Sequence, residues 1–327
     1  MSIYKVTTLI CIVTLLKLSQ EKCVDEEKAC VQTKIHGMVS ADCYNGNLRK
    51  IPQCLRSDVE IIDLSFNRIR KITKEEMGRY SKIKMLYLSD NLLTNLDNST
   101  FEDLTDLITL DLSLNAIIQP PLIIFRLPSL KRLYLSQNQN INIVEAIEEA
   151  KPIASPLELL DISFNELEIL PNLGILPHLL LYNISGNHIV NMKIRDIAGL
   201  CNLKKLVNTN FSAYFQSSCD CWNFQKWLRE RDVTFTKIPC DITEESCSYS
   251  ISEEDLQIFN DCKSRLDEIN KKSNLLKIGI GAAVFIVVVL SLVIVYMLYR
   301  RRRNRKLLKE KQLNNLLNGK KESADFL

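Results

Sequence analysis

The sequence predicts an α/β-type solenoid, curved like a horseshoe, with disulfide-bonded caps at both ends and one transmembrane helix after it. Three observations lead to this prediction: an apolar motif that recurs along the middle of the chain, cysteines clustered on both sides of it, and one uncharged apolar stretch near the C-terminus. The 327 residues are 46% hydrophobic and 25% charged, so the chain can bury a core and wholesale disorder is excluded.

The recurring motif has the form L-x-x-L-x-L-x-x-N, with Ile, Val, Met or Tyr at some apolar positions. Six copies fit this frame at intervals of 22 to 27 residues, beginning at Val59, Ile83, Leu107, Leu130, Leu157 and Leu179. A seventh copy begins at Leu203 and then loses the frame, so the repeats span residues 59–210. This pattern is the leucine-rich repeat.

The spacing of the motif has a physical reason. Apolar residues two positions apart point to the same side of a short strand, and no single repeat can bury that side alone, so successive repeats stack. We expect the asparagines that close each motif to bond the backbone of the following bend. They are Asn67, Asn91, Asn115, Asn138, Asn165 and Asn187. The fourth repeat is 27 residues long and has Asn140 at an apolar position, which predicts a short convex helix near Ala146.

Cysteines flank the repeats, and disulfide-bonded caps at the ends of a solenoid protect its core from water. The stretch CYNGNLRKIPQCL at residues 43–55 resembles the N-terminal cap of extracellular leucine-rich-repeat proteins, and CDCWNFQKWL from residue 219 resembles their C-terminal cap. The resemblance covers residues 23–262. It implies an N-terminal cap at 23–58, a C-terminal cap at 211–262 and a binding function without catalysis.

The same resemblance assigns cysteines to disulfides. In the N-terminal cap they are Cys23, Cys30, Cys43 and Cys54. In the C-terminal cap, the family pattern implies the pairs Cys219–Cys240 and Cys221–Cys262. Cys201 and Cys247 are then left over. Either these two bond each other, or Cys201 is a buried thiol.

Membrane signals stand at both ends. Residues 1–19 have the charged-then-apolar order of a secretory signal peptide, although the cut site is poorly defined. Residues 278–299 carry no charge and are long enough to span a bilayer, after a linker at 263–277. The tail at 300–327 begins with Arg300, Arg301, Arg302 and Arg303, which favour the cytoplasmic side and can contact anionic lipid. We therefore expect a single-pass type I protein of the plasma membrane with its N-terminus outside.

Strand residues that point away from the core line the concave face of such a solenoid. Apolar, tyrosine and arginine side chains there have the composition of a protein interface, and we expect the contact residues to be Met85, Tyr87, Arg132, Tyr134 and Leu159. The alternative is a solvated face with scattered apolar residues. Three glycosylation sequons occur, at Asn98, Asn183 and Asn210, and a glycan on Asn183 would cover part of this face.

Several functional classes are excluded by the sequence. No catalytic motif occurs, and no metal or cofactor is expected. The net positive charge belongs to the tail, whereas a nucleic-acid-binding protein would carry it on its folded domain. The first hypothesis is therefore a cell-surface protein that binds an extracellular or membrane protein, in adhesion or as a receptor. The alternative is an auxiliary subunit that modulates a channel through the transmembrane helix and basic cluster, since the layout resembles the gamma subunits of large-conductance potassium channels.

Overall fold

A computed structural model describes residues 29–240 and 247–324, with side chains through residue 309. The proposed signal peptide and Cys23 lie outside the described residues. Two compact units are present, one ending at Leu266 and the other beginning at Asp267.

The first unit is built on a nine-stranded sheet. Its strands are parallel except for an antiparallel hairpin at the N-terminal end, and they pair in the order β1 to β8 followed by β10. Their bounds are Val31–Ile35 (β1), Met38–Asp42 (β2), Ile61–Asp63 (β3), Met85–Tyr87 (β4), Thr109–Asp111 (β5), Arg132–Tyr134 (β6), Leu159–Asp161 (β7), Leu181–Asn183 (β8) and Lys205–Val207 (β10). Two further short strands, β9 (His188–Ile189) and β11 (Ser212–Ala213), pair with each other.

Helices connect or follow these strands. They are α1 (Lys74–Gly78), α2 (Ile143–Ala150), α3 (Arg195–Ala198), α4 (Ser218–Arg229) and α5 (Glu253–Ala324), with a 3₁₀ turn at Leu122–Phe125. Helix α2 lies in the long fourth repeat, which confirms the short helix expected there. It buries Ile143, Ala146, Ile147 and Ala150 against the core.

The repeats share one continuous core, which the motif predicts. The middle apolar residue of each strand, such as Leu86, Leu110 or Leu133, is fully buried, as are Ile69 and Leu93 in the bends. The repeat strands are only 3 residues long and would be too short to persist alone, so stacking supplies their stability. The seventh motif, which loses its frame in sequence, still contributes β10 at the end of the sheet.

The motif asparagines join neighbouring repeats, as expected. Asn91 donates through Nδ2 to the carbonyls of Leu88 in its own repeat and Leu64 in the preceding one, at 3.1 and 3.0 Å. Its Oδ1 accepts from the N–H of Ile69 at 3.0 Å. Equivalent bonds recur at Asn67, Asn115, Asn138, Asn165 and Asn187. The asparagine therefore satisfies backbone groups that stacking would otherwise bury unpaired.

In the N-terminal cap, β1 and β2 form a hairpin that adds β2 to the edge of the repeat sheet, next to β3. Cys30 and Cys43 are bonded to each other, and Cys54 is also disulfide-bonded. The turn residues His36 and Gly37 both have positive φ, which is the geometry of a type I′ hairpin turn.

In the C-terminal cap the implied disulfide pairs are wrong. Cys219 bonds Cys247, Cys221 bonds Cys240, and Cys262 bonds Cys201 of the last repeat. Cys201 and Cys247 are therefore neither bonded to each other nor left as thiols. The reason lies in α5, which begins at Glu253 and lies against the last repeat. Its Cys262 is fully buried there and bonds Cys201, while Cys221 bonds Cys240 within the cap.

The second unit consists of the remainder of α5. One stretch of this helix is long and apolar enough to cross a membrane by length and composition. Residues 263–277, which we expected to be a linker, lie within α5, so this segment is helical.

Candidate functional site

The strand face that lies opposite the core contains all five residues that the sequence singled out. Met85 and Tyr87 lie on β4, Arg132 and Tyr134 on β6, and Leu159 on β7. The strand pairing aligns Met85, Thr109, Arg132 and Leu159 in one row, and Tyr87, Asp111, Tyr134 and Asp161 in the adjacent row. We call these two rows the concave rows. Neighbouring members are about 4.8 Å apart along the sheet, because that is the spacing of paired strands.

Local contacts fix the side chains of the first row. Thr109 is buried, and its hydroxyl accepts a hydrogen bond from Nε of Arg132 at 2.9 Å. This bond holds the Arg132 side chain against β5. On β4, the Tyr87 hydroxyl lies 3.7 Å from Sδ of Met85. All five candidate residues are half-buried. The two contacts partly order Met85, Tyr87 and Arg132 before any partner arrives, which lowers the entropic cost of binding.

The aspartates of the second row have a structural role. Oδ1 of Asp63, Asp111 and Asp161 accepts the backbone N–H two residues later, each at 2.9 Å. Burial raises the pKa of Asp111, and the negative charges of Asp161 and Asp63 add to this effect. Burial likewise raises the pKa of the neighbouring Tyr134. These aspartates stabilise the bends, and their remaining oxygens give the rows a negative character.

The N-terminal cap extends this face, which the sequence reasoning missed. Ile61 and Asp63 of β3 precede Met85 and Tyr87 in the two rows. Ser40 and Asp42 of β2 align with Ile61 and Asp63 in turn, so each row begins two strands earlier, on β2. Oδ1 of Asp42 accepts the N–H of Tyr44 at 3.1 Å, as the repeat aspartates do for their bends. The signal that could have revealed this strand was His36-Gly37 between two alternating segments, a pattern typical of a hairpin.

The three sequons differ in their surroundings. Asn98 and Asn210 are exposed and lie in bends. Asn183 is half-buried at the end of β8, where Oδ1 accepts the N–H of Ser185 at 3.1 Å and Nδ2 donates to Oδ2 of Asp161 at 2.9 Å. Asn183 thus takes the place of the bend-capping aspartate in its repeat. The Asn183-Ile-Ser sequon arises because asparagine stands where other repeats have aspartate, two residues before the serine of the motif.

Comparison with known proteins agrees with this architecture. Residues 57–117 and 81–139 match the family model described as Leucine rich repeat. Residues 57–139 therefore contain leucine-rich repeats. The match coincides with the strands β3 to β6, which carry four of the five candidate contact residues.

Individual relatives match parts of this chain. It is 36% identical to Toll-like receptor 8 of Homo sapiens over 129 residues, which cover 37% of the chain and 12% of the receptor. It is 25% identical to Tsukushi of Mus musculus over 212 residues, covering 56% of the chain and 60% of Tsukushi. The crystal structure of human trophoblast glycoprotein (Wnt-activated inhibitory factor 1) aligns with 66% of the chain and 93% of its own, at a TM-score of 0.49 and 21% identity. The chain spans less than two thirds of the length of Toll-like receptor 8 and of Tsukushi.

Proposed function

We propose that this chain is a single-pass type I protein of the plasma membrane that binds another protein through the concave rows of its extracellular solenoid. Adhesion or receptor function without intrinsic catalysis fits this site. The observation that carries the proposal is the alignment of Met85, Tyr87, Arg132, Tyr134 and Leu159 on strands β4 to β7. Aromatic, Met and Arg side chains that are half-buried and pre-positioned are typical centres of protein interfaces.

The glycosylation sequons are consistent with this proposal. We expect glycans on the exposed Asn98 and Asn210, and none on Asn183, whose amide is bonded to Asp161 within the second row. The concave rows would then stay accessible. We further expect the arginines Arg300, Arg301, Arg302 and Arg303 to contact anionic lipid on the cytoplasmic side, at about 1 kcal/mol for each charge near the surface.

Full-length protein on living cells provides the test. Proximity labelling at the outer surface identifies the main neighbour of the wild type, and the binding of that neighbour is then compared between variants. Met85→Ala and Tyr134→Ala should each weaken binding by about tenfold or more, because central interface residues typically contribute more than about 1.4 kcal/mol. The control is Ile169→Ala, an apolar residue outside the strands that is 62% exposed.

Surface levels must remain normal in all three variants, since none of these side chains lies in the core. Unchanged binding by both concave variants contradicts the assignment of this face. If the retained neighbour is then a multi-span membrane protein, the auxiliary-subunit hypothesis gains support, because that function resides in the transmembrane helix and basic cluster.

A further inference from the structure

A second surface lies along the edge of the sheet at which the chain leaves each strand. Three repeats expose a large apolar side chain there, just before the motif asparagine: Phe66 is 49% exposed, Leu114 is 44% and Phe164 is 43%. Their φ angles are positive, at 59°, 53° and 54°. Bulky residues rarely adopt this conformation, whereas Asp90 and Gly186, which hold the same position in other repeats, adopt it more readily. Exposure and backbone strain at one position indicate a role beyond packing the repeat.

The charges beside these apolar side chains have opposite signs in the first and fifth repeats. In the first repeat, Arg68 and Arg70 stand two and four residues after the apolar side chain. In the fifth repeat, Glu166 and Glu168 hold the same two positions. All four side chains are exposed, and none of them makes an ion pair within the described part of the chain. They are therefore available to a partner.

The third repeat lies midway between these two and is uncharged at the same positions. Ala116 and Ile118 stand there, and Ile118 is 56% exposed. The strands of the three repeats, β3, β5 and β7, are separated by one strand each, so the third repeat is about 9.6 Å from either neighbour. We call the surface formed by residues 66–70, 114–118 and 164–168 the flank surface. It is apolar at its centre, with an aromatic side chain and two like charges at each end, basic at one and acidic at the other.

We propose that the flank surface binds a second copy of this chain, with the two solenoids antiparallel and flank against flank. A two-fold axis along the third repeat then brings Leu114 against the same residue of the second copy. The basic pair of one copy faces the acidic pair of the other, and the symmetry forms this contact twice. A parallel arrangement would instead place each repeat opposite itself, with like charges in contact, which is unfavourable.

The shape of the intervening repeats agrees with the antiparallel arrangement, which places the second repeat opposite the fourth. In the second repeat Leu92 protrudes and is 44% exposed. The fourth repeat lies in a recess of about 560 Å³ that is lined by Leu114, Gln137 and Phe164 among others, large enough to admit a leucine side chain. The Asn210 sequon follows β10, four strands from the axis, so it lies outside these five repeats. The flank surface contains no residue of the concave rows and therefore stands independently of the proposed function.

Charge reversal tests the arrangement, with full-length protein in detergent micelles and sedimentation velocity as the measurement. One variant carries Arg68→Glu with Arg70→Glu, and the other carries Glu166→Arg with Glu168→Arg. Each should self-associate about tenfold or more weakly than the wild type, because like charges then meet at both ends. An equimolar mixture of the two should associate as the wild type does, since opposite charges face each other again. That recovery also shows that both variants are folded.

The matched control reverses two charges outside the flank surface. It carries Arg79→Glu with Lys82→Glu, at two exposed basic residues that follow α1 and make no ion pair within the described residues. Its net charge equals that of the first variant. Its self-association should remain that of the wild type.

A cysteine at the axis gives a second, independent measurement. Leu114→Cys should form a disulfide between two copies, because the two-fold axis brings this position next to itself. Val190→Cys is the control, since Val190 is 48% exposed at the same edge but three strands from the axis. Its two copies would be about 29 Å apart, whereas the Cα atoms of a disulfide lie within about 7 Å.

Four results would overturn the proposal. They are a wild type that is monomeric at about 100 µM, wild-type association in both charge-reversal variants, no association in their mixture, or equal cross-linking through Leu114→Cys and Val190→Cys. Fluorescence of Trp222 and Trp227 checks that each variant is folded, so that a failed mixture counts against the proposal. A dimer that persists in both reversal variants would place self-association in the transmembrane helix or the concave rows instead.

Discussion

The repeats and the C-terminal cap differ in how their structure is encoded. In the repeats, the bonds of the motif asparagines recur with the period of the motif, so that Asn91 repeats the bonds of Asn67 one strand later. In the cap, contacts of this kind occur once. Trp227 packs edge-to-face against Phe259 of α5, and the guanidinium of Arg231 lies over the Trp227 ring, 3.2 Å from its centroid. A periodic contact can be inferred from sequence, whereas a contact that occurs once depends on the three-dimensional path of the chain.

The largest effect is expected where the cap is joined to the repeats. Replacing Cys201 and Cys262 by Ser opens a link between positions 61 residues apart, whereas replacing Cys221 and Cys240 opens one of 19. The loop-entropy model gives a loss of about 4 kcal/mol for the first pair and about 1 kcal/mol less for the second. Denaturant unfolding followed by tryptophan fluorescence measures both, because Trp222 and Trp227 report on the cap.

Peptide mapping of the unreduced protein is the direct check on this pairing. It should recover Cys201 linked to Cys262, Cys219 to Cys247, and Cys221 to Cys240. Recovery of Cys219–Cys240 and Cys221–Cys262 would restore the pairing that the family resemblance implies. In that case the Cys201→Ser, Cys262→Ser variant should behave as the loss of a cap disulfide and not as the loss of a link to the repeats.

How much the sequence could predict follows the same division. The strands, the buried leucines, the asparagine bonds and the helix of the fourth repeat all follow from the period of the motif or from a local departure from it. The cap disulfides do not, because Cys201 lies 61 positions from Cys262 and only the packing of α5 on the last repeat brings them together.

An intermediate effect is expected from a single asparagine of the repeats. Asn91→Ala removes an amide that bonds Leu64 and Leu88 and accepts from Ile69, leaving these buried backbone groups without a partner. The expected loss of unfolding free energy is about 1–3 kcal/mol. Asn95→Ala is the control, because Asn95 is exposed and outside the motif.

Hydrogen exchange should show the loss of protection in Asn91→Ala concentrated in the repeats around β3 and β4, because each repeat is stabilised by its nearest neighbours. Equal losses in both variants would contradict the role assigned to the motif asparagines.

The smallest effect is expected from a change of Asp111. It tests whether the aspartates of the concave rows stabilise the protein only through their hydrogen bonds to the following bends. Because burial and the charges of Asp161 and Asp63 raise the pKa of Asp111, the folded state binds its proton more tightly than the unfolded state does. The favourable contribution of the protonated form is present at low pH and is lost as the pH rises through the raised pKa. Asp111→Asn should therefore stabilise the protein near pH 7, by under about 1 kcal/mol, and the difference should vanish below the ordinary pKa of Asp of about 3.9.

Asn183 shows that an asparagine can take this position, since its Oδ1 accepts the N–H of Ser185 as Oδ1 of Asp111 accepts that of Ser113. The change also creates an Asn-Leu-Ser sequon, so the wild type and the variant must both be produced with N-glycosylation inhibited. Urea unfolding at several pH values then gives the comparison. A variant that is less stable than the wild type at pH 7 would mean that the carboxylate makes a favourable contact that the bend bond does not account for. The aspartates would then stabilise the rows through their charge as well as through their geometry.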